Sequence, residues 1–461
     1  MTGVTYSAPG DTLVNDERVA GSPLRRMFGI ACSAAALVTQ LSVPATLQLS
    51  ALVLAVSLLG AMIVSWRRDR GVGGAAFIYT LVFGLFHGGL VFAVALGGES
   101  MIIGQGNNDW VLSSEVHSAV TAVCVAVIAW ELGLLASLPS RRAPQSGAAR
   151  TSRSRTDLVG YAGVLLGLGL ITLALQPGGG IGVLFSGYLV FLEKVANDGI
   201  FGYGIVMLGY GVGFLVASGG RARLIGWAVM AAIALVGLPL GLRGTVLFLL
   251  ATVLVVEAKR TRIRSGLFAL AALLVLALVS VLRTTRTGGL SALLDDGLAR
   301  ATPLEAAAEM GYSLYPVVVV QHWLDSGVEV RGGVTFVAPI VRFAEGLLGM
   351  DTVPGASDLR IFNVEMLTLQ GPIGGSPVAE GLRNGGILGV CLLMGLLGWV
   401  IGRVDRLPAT ADGGALTAVV FLPLIIAVRN SFAPVLVQLA IGFIMLFVAR
   451  MIGRNHPRGE P

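Results

Sequence analysis

The sequence predicts an all-α fold: a polytopic transmembrane helical bundle of about 12 helices with one long, partly helical extracytoplasmic loop. Three observations carry this. The 461 residues are 55% hydrophobic and only 13% charged, with a mean hydropathy of +0.83. A soluble chain of that size could not hide so much apolar surface in one core. Apolar runs able to cross ~30 Å of hydrocarbon recur along the chain. The basic residues fall between those runs, mainly on one side of the implied membrane. The net charge of +6 therefore belongs to membrane topology and not to a nucleic-acid surface.

Residues 1–24 are polar and read as a disordered cytoplasmic tail. Helices are expected at 27–43, 47–66, 75–97, 115–137, 157–175, 200–218, 224–240, 244–257, 266–282, 386–403, 414–428 and 433–451. Residues 25–282 thus hold the first nine and 385–451 the last three, with a cytoplasmic tail at 452–461. The first run follows Arg25-Arg26 and reads as a signal anchor, because a second run follows at once. With the N-terminus inside, the inner segments collect Arg67, Arg68 and Arg70, then Arg141 to Arg155, Arg221 and Arg223. Lys259 to Arg264, then Arg403, Arg406, Arg450, Arg454 and Arg458 follow. The short outer loops hold only Lys194, with Arg243 and Arg429 at their edges. That asymmetry places both termini in the cytoplasm and the protein in the cytoplasmic (inner) membrane as a multi-pass chain. Residues 138–156 read as a basic cytoplasmic hinge. Cys32, Cys124 and Cys391 all lie in apolar runs and read as packing residues, not a disulfide or metal set.

The long outer segment, 283–384, resembles a folded element. Thr302-Pro303-Leu304-Glu305 is a capping box with Pro at the first helical position. It is expected to start a helix that runs through Glu309 and Tyr312 and bends at Pro316. The segment either lies along the membrane surface or folds back into the bundle. Loops of this length usually serve function.

Several chemistries have no motif here. No Gly-rich loop ends in Gly-Lys-Ser/Thr, and no Gly-x-Ser-x-Gly elbow occurs. His87, His117, His322 and His456 are scattered, so no metal is expected. Asp295-Asp296 reads as a solvated face. The spans lack carboxylates at mid-membrane depth, which counts against an ion-coupled transporter.

What the sequence does offer is arginine on the outer side. Arg243 opens a helix of only about 14 residues, ~21 Å against a ~30 Å core. It either faces a polar cavity below the outer surface or snorkels at a helix end. Arg283 and Arg286 stand at i, i+3 spacing. They are either interface anchors or a guanidinium pair suited to a multi-oxygen anion such as a diphosphate. Arg331, Arg342 and Arg360 extend the set. Glu380 and Asn384 are one helical turn apart and can face one site. Gly385, Gly386 and Gly389 permit close backbone approach, with helix packing the preferred role for Gly389.

The segment 374–403 resembles the late motif of the O-antigen polysaccharide polymerase family, the Wzy-type membrane polymerases. There a Ser-x-x-Ala-Glu element runs into an Asn-x-Gly helix start after a long periplasmic loop. Here those positions are Ser376, Ala379-Glu380 and Asn384-Gly385. Gly311-Tyr312-Ser313-Leu314-Tyr315-Pro316, Val330-Arg331-Gly332-Gly333-Val334-Thr335-Phe336 and Leu242-Arg243-Gly244-Thr245 are also similar to that family. The likeness covers roughly residues 240–405. It departs where aromatics flank the family's Asn, which here are Arg383 and Gly385.

The resemblance implies a metal-independent glycosyltransferase without cofactor. It would transfer a chain from a polyprenyl diphosphate onto the next lipid-linked repeat unit at the outer face. Membrane lipid would surround it, with flippase and chain-length regulator proteins as partners. A lipid diphosphate leaving group needs cations, and the acceptor hydroxyl needs a base. Arg243, Arg283, Arg286 and Arg331 would hold diphosphate. Glu380 would be the base or would orient the acceptor, with Glu309 the rival base. Asn384, Ser376 and Tyr312 would contact sugar. A glycan ligase using the same carrier and a flippase or transporter for lipid-linked sugars are the alternatives.

Overall fold

A computed structural model describes residues 23–44, 46–66, 71–97, 109–138, 155–185, 191–196, 199–288, 302–350 and 353–454. The expected tails at 1–24 and 452–461, the basic hinge and Asp295-Asp296 fall wholly or largely outside the described residues. Every expected helix is present. The first five are α1 (Pro23–Ser42), α2 (Leu47–Ser65), α3 (Ala75–Gly97), α4 (Glu115–Ala136) and α5 (Thr156–Leu175). Then come α6 (Gly199–Ser218), α7 (Gly220–Gly237), α8 (Arg243–Glu257) and α9 (Ser265–Gly288). The long loop supplies α10 (Pro303–Met310), α11 (Tyr315–Asp325), α12 (Val334–Leu347) and α13 (Phe362–Gln370). The chain closes with α14 (Pro377–Val404), α15 (Ala411–Ile426) and α16 (Ala433–Arg454).

Among the described residues, nine helices are long and apolar enough to cross a membrane: α2 to α7 and α14 to α16, the α15 span running on to Arg429. α1, α8 and α9 are helices that fall outside that set. α8 has 15 residues, as short as its flanking charges require.

Helices approach closely where small residues meet, as expected where lipid removes the hydrophobic drive between helices. α4 lies along α14 with no room for a Cβ at Gly133 or Gly398. α5 lies along α6 through Gly160, Gly163 and Gly211.

One end of the bundle is tied by charge. The Asp405 carboxylate accepts the Ala75 and Ala76 N–H groups at 2.6 and 3.1 Å, satisfying the start of α3. Lys259 Nζ donates to the Val404 and Leu407 carbonyls at 2.9 and 3.3 Å, at the end of α14 and just past it. Arg260 reaches the Ala217 carbonyl at the end of α6, and Arg406 the Ser137 carbonyl at the end of α4. This end gathers the segments that the arginine pattern groups together. The opposite end carries the start of α8, the turn after α15 and the loop helices.

The cap half of the expected box forms: Thr302 Oγ1 accepts the Glu305 N–H at 3.2 Å, while the Glu305 carboxylate accepts from Ser280 Oγ at 3.4 Å. The helix it starts does not run on to a bend at Pro316. It stops at Met310, a 3₁₀ turn covers Gly311–Leu314, and α11 begins with Pro316 in its first turn. Proline lacks an N–H, so it opens a helix at less cost than it interrupts one. The loop folds back into the bundle. α10 packs against α3, where Gly89 meets the Ala307 carbonyl and Gly311 meets the Leu90 backbone.

Candidate active site

The region from Ser376 to Gly389 is built by a cap and a break. Ser376 Oγ accepts the Ala379 N–H at 3.0 Å, and Pro377 opens the helix. Helical geometry then fails at Gly385 (φ −154°, ψ 22°) and Gly386 (φ 59°, ψ −148°). The second is a conformation essentially reserved for glycine. The break is a sharp reversal. Gly381 and Gly389 touch through their backbones, although eight residues of straight helix would separate them by ~12 Å. Residues 377–384 therefore form a short helix folded against the long span that starts at Ile387.

This short helix carries a closed polar cluster. Asn384 Nδ2 donates to the Glu380 carbonyl and to Thr335 Oγ1, both at 2.7 Å. Thr335 Oγ1 donates in turn to Glu380 Oε1 at 2.6 Å. Glu380 Oε2 accepts the Phe432 N–H at 2.6 Å, just before α16. The Thr335 N–H donates to Asn384 Oδ1 at 3.3 Å. Glu380, Thr335 and Asn384 are all buried. One carboxylate thus binds α12, α14 and α16 together. The expected meeting of Glu380 and Asn384 occurs, and Ser376 serves as the helix cap beneath them.

A charge cluster lies beside it. Glu365 on α13 is buried between two guanidiniums. Arg383 grips it with Nη2 at 2.8 Å and Nε at 3.2 Å, while Arg331 Nη2 reaches it at 2.7 Å. Arg383 also donates to the Glu329 carbonyl and lies over the Trp323 ring at 5.6 Å. The Arg331 N–H donates to the Arg383 carbonyl at 2.8 Å.

Arg243 is buried and ion-paired with Glu309 of α10. It does not snorkel outward. The Arg429 guanidinium lies beside the next residue, Gly244, where a Cβ would stand 3.7 Å from Nη1, and over the Phe86 ring at 6.0 Å. Two arginines therefore flank the start of α8. Tyr312 is half-buried in the 3₁₀ turn after Glu309. The side chains of Arg283 and Arg286 lie outside the described residues. Arg342 and Arg360 are neutralised within the loop. Arg360 bridges Glu345 and Asp358, and Arg342 bonds Asp358 at 2.5 Å. The Arg360 guanidinium holds the Asp358 carboxyl well below the usual carboxylate range and also lowers that of Glu345.

The model of the O-antigen polysaccharide polymerase Wzy family matches residues 28–454, nearly the whole chain. The chain belongs to that family. It is a multi-pass membrane protein of polysaccharide biosynthesis, a polymerase of glycosyltransferase type that works on lipid-linked oligosaccharide within membrane lipid. No curated protein and no solved structure matches it.

Thr335, Glu365, Arg383, Phe432 and Arg429 were not singled out as site residues by sequence reasoning. Thr335 stands in the stretch 330–336 that resembles the family, but nothing in its local pattern marks it as a partner of Glu380. Arg383 registers only as a departure from an aromatic. Phe432 contributes a backbone N–H, which no residue pattern reveals.

Proposed function

We propose that the chain transfers a glycan from a polyprenyl diphosphate onto a hydroxyl of the next lipid-linked repeat unit, at the outer face of the cytoplasmic membrane. The observation that carries this is the buried Arg243–Glu309 pair beside Arg429, at the same end of the bundle as the Glu380 cluster. Two arginines at one locus suit a diphosphate leaving group, and their guanidiniums supply its charge without a metal. Departure of the lipid diphosphate puts negative charge where Arg243 and Arg429 stand. Glu309, released from Arg243 as the arginine turns to the diphosphate, is positioned to take the acceptor proton. Arg283 and Arg286, at i, i+3 spacing in sequence, are assigned to the same diphosphate on that spacing alone, with Arg331 a further candidate. Glu380 orients the acceptor side through Thr335 and Asn384, because both its oxygens already accept hydrogen bonds. Tyr312 offers a ring for a sugar face. The arginine asymmetry supports cytoplasmic termini, and the exporting flippase and a chain-length regulator are the expected partners.

The test is the surface-glycan length distribution of a deletion strain, with lipid-linked intermediates extracted in parallel. Loss of long chains while single repeat units are still exported supports the polymerase. Long chains retained on the lipid carrier would indicate a ligase instead. Repeat units trapped on the inner leaflet would indicate a flippase.

A further inference from the structure

The loop helix α12 has two faces of opposite character. Thr335 and Ala338 are buried toward the Glu380 cluster, and Arg342 and Glu345 are held in ion pairs. The other face carries Val337, Ile340, Val341 and Leu347 at i, i+3, i+4 and i+10, with Leu348 beside them. Ile340 is 57% and Leu347 72% exposed. A stripe of this kind on a helix needs an apolar environment.

Its neighbours identify that environment. α12 packs against α16, with Phe336 edge-on to Phe432 at a centroid distance of 5.6 Å. α16 is a candidate span, and its Val437, Ile444 and Phe447 are exposed apolar side chains. The apolar belt of a spanning helix therefore leads directly to the helix that carries the stripe. α12 has 14 residues, ~21 Å, too short to cross ~30 Å of hydrocarbon. The charges behind it cancel, since Arg342 and Arg360 meet Asp358 and Glu345. The helix therefore presents no unpaired Arg342 or Arg360 charge to anionic headgroups.

We propose that α12 is an interfacial helix whose apolar stripe is seated in the acyl boundary of the outer leaflet, so that the bilayer itself presses Thr335 against Glu380 and Asn384. This deepens the functional reading by making lipid contact part of how the site is held. Its depth is measurable without any activity. A bilayer that thins or is replaced by detergent loosens the Thr335 contacts. Lipid-anchored substrate arrives along the same surface.

The experiment places single cysteines at Ile340, Leu347 and, as a lipid-facing reference, Ile444, with Cys32, Cys124 and Cys391 replaced by serine. Each is labelled with a nitroxide, and the full chain is reconstituted in nanodiscs of phosphatidylethanolamine and phosphatidylglycerol. The expected result is preferential collision with oxygen over a nickel chelate at Ile340 and Leu347, as at Ile444. Preference for the chelate at both positions overturns the proposal. So does dipolar broadening that disappears on dilution with unlabelled chain, which would show a second copy covering the stripe. Amide exchange at Thr335 tests the bracing: Ile340→Asp should speed it at least tenfold in nanodiscs while Ile340→Leu leaves it unchanged. Equal exchange in both variants would remove the link between lipid and site. A deletion strain with normal glycan chains would sink the polymerase reading yet leave the depth result standing.

Discussion

The Thr335 hydroxyl both donates to Glu380 and accepts from Asn384. Thr335→Val removes both contacts and leaves a buried carboxylate oxygen and amide short of partners, at a cost of about 1–3 kcal/mol. We expect lower thermal stability and shortened glycan from Thr335→Val, with Thr335→Ser near wild type on both readouts. Glu380→Gln keeps the volume but sets an amide NH₂ against either the Thr335 hydroxyl or the Phe432 N–H. Polymer should fall at normal expression, and unchanged polymer would remove Glu380 from the site. Asp358 has a depressed carboxyl in the folded chain, so its contribution is complete above its unfolded value of about 3.9 and fades as pH falls through the lower folded value. Acid titration should loosen the α12–α13 connection only at strongly acidic pH, and Asp358→Asn should abolish that transition in amide exchange. Glu380 and Asn384 were legible in the sequence because one helical turn separates them. Their partners were not, since Thr335 and Phe432 lie 45 and 52 residues from Glu380 along the chain.

Among elements, the reversal at Gly385-Gly386 separates a site helix from a spanning helix. The expected span start at 386 coincides with that break, because two glycines end one helix as readily as they start another. Gly386 holds a backbone conformation that costs an L-residue about 1–3 kcal/mol. At Gly389 a Cβ has no room against the Gly381 carbonyl, in agreement with a packing role. Gly389→Ala should therefore lower the melting temperature in nanodiscs and reduce polymer length together. Gly385→Ala, with open space around its Cβ and an ordinary φ sign, should be milder on both counts. The α10 helix shows where pattern reading reached its limit. Its cap was legible, since Thr302 and Glu305 are neighbours in sequence. Its end was not, since Gly311 closes on Leu90 of a distant helix.

For the whole molecule, composition alone required the bilayer as solvent, and among the described residues the helix ends near Ser137, Ala217, Lys259 and Val404 come together as the arginine pattern expects. Lys259, Arg260 and Arg406 show what ties those ends: basic side chains there satisfy the carbonyls of neighbouring helix termini. The long loop resisted the same treatment, because its destination is set by contacts with α3, α14 and α16, not by its own hydropathy. Labelling from outside intact cells should modify a cysteine introduced at exposed Val330, while one at exposed Arg221 should react only after permeabilisation. The reverse pattern would invert the topology.

The grip of Glu380 on the Phe432 amide carries a consequence for biogenesis. The carboxylate is translated 52 residues before its partner, which sits at the threshold of the last helix. A chain that has inserted every helix but α16 lacks both that tie and the wall on which Phe336 rests. Until α16 docks, Glu380 is held through one oxygen alone, by Thr335, so closure of this cluster waits on a helix translated after all its other partners.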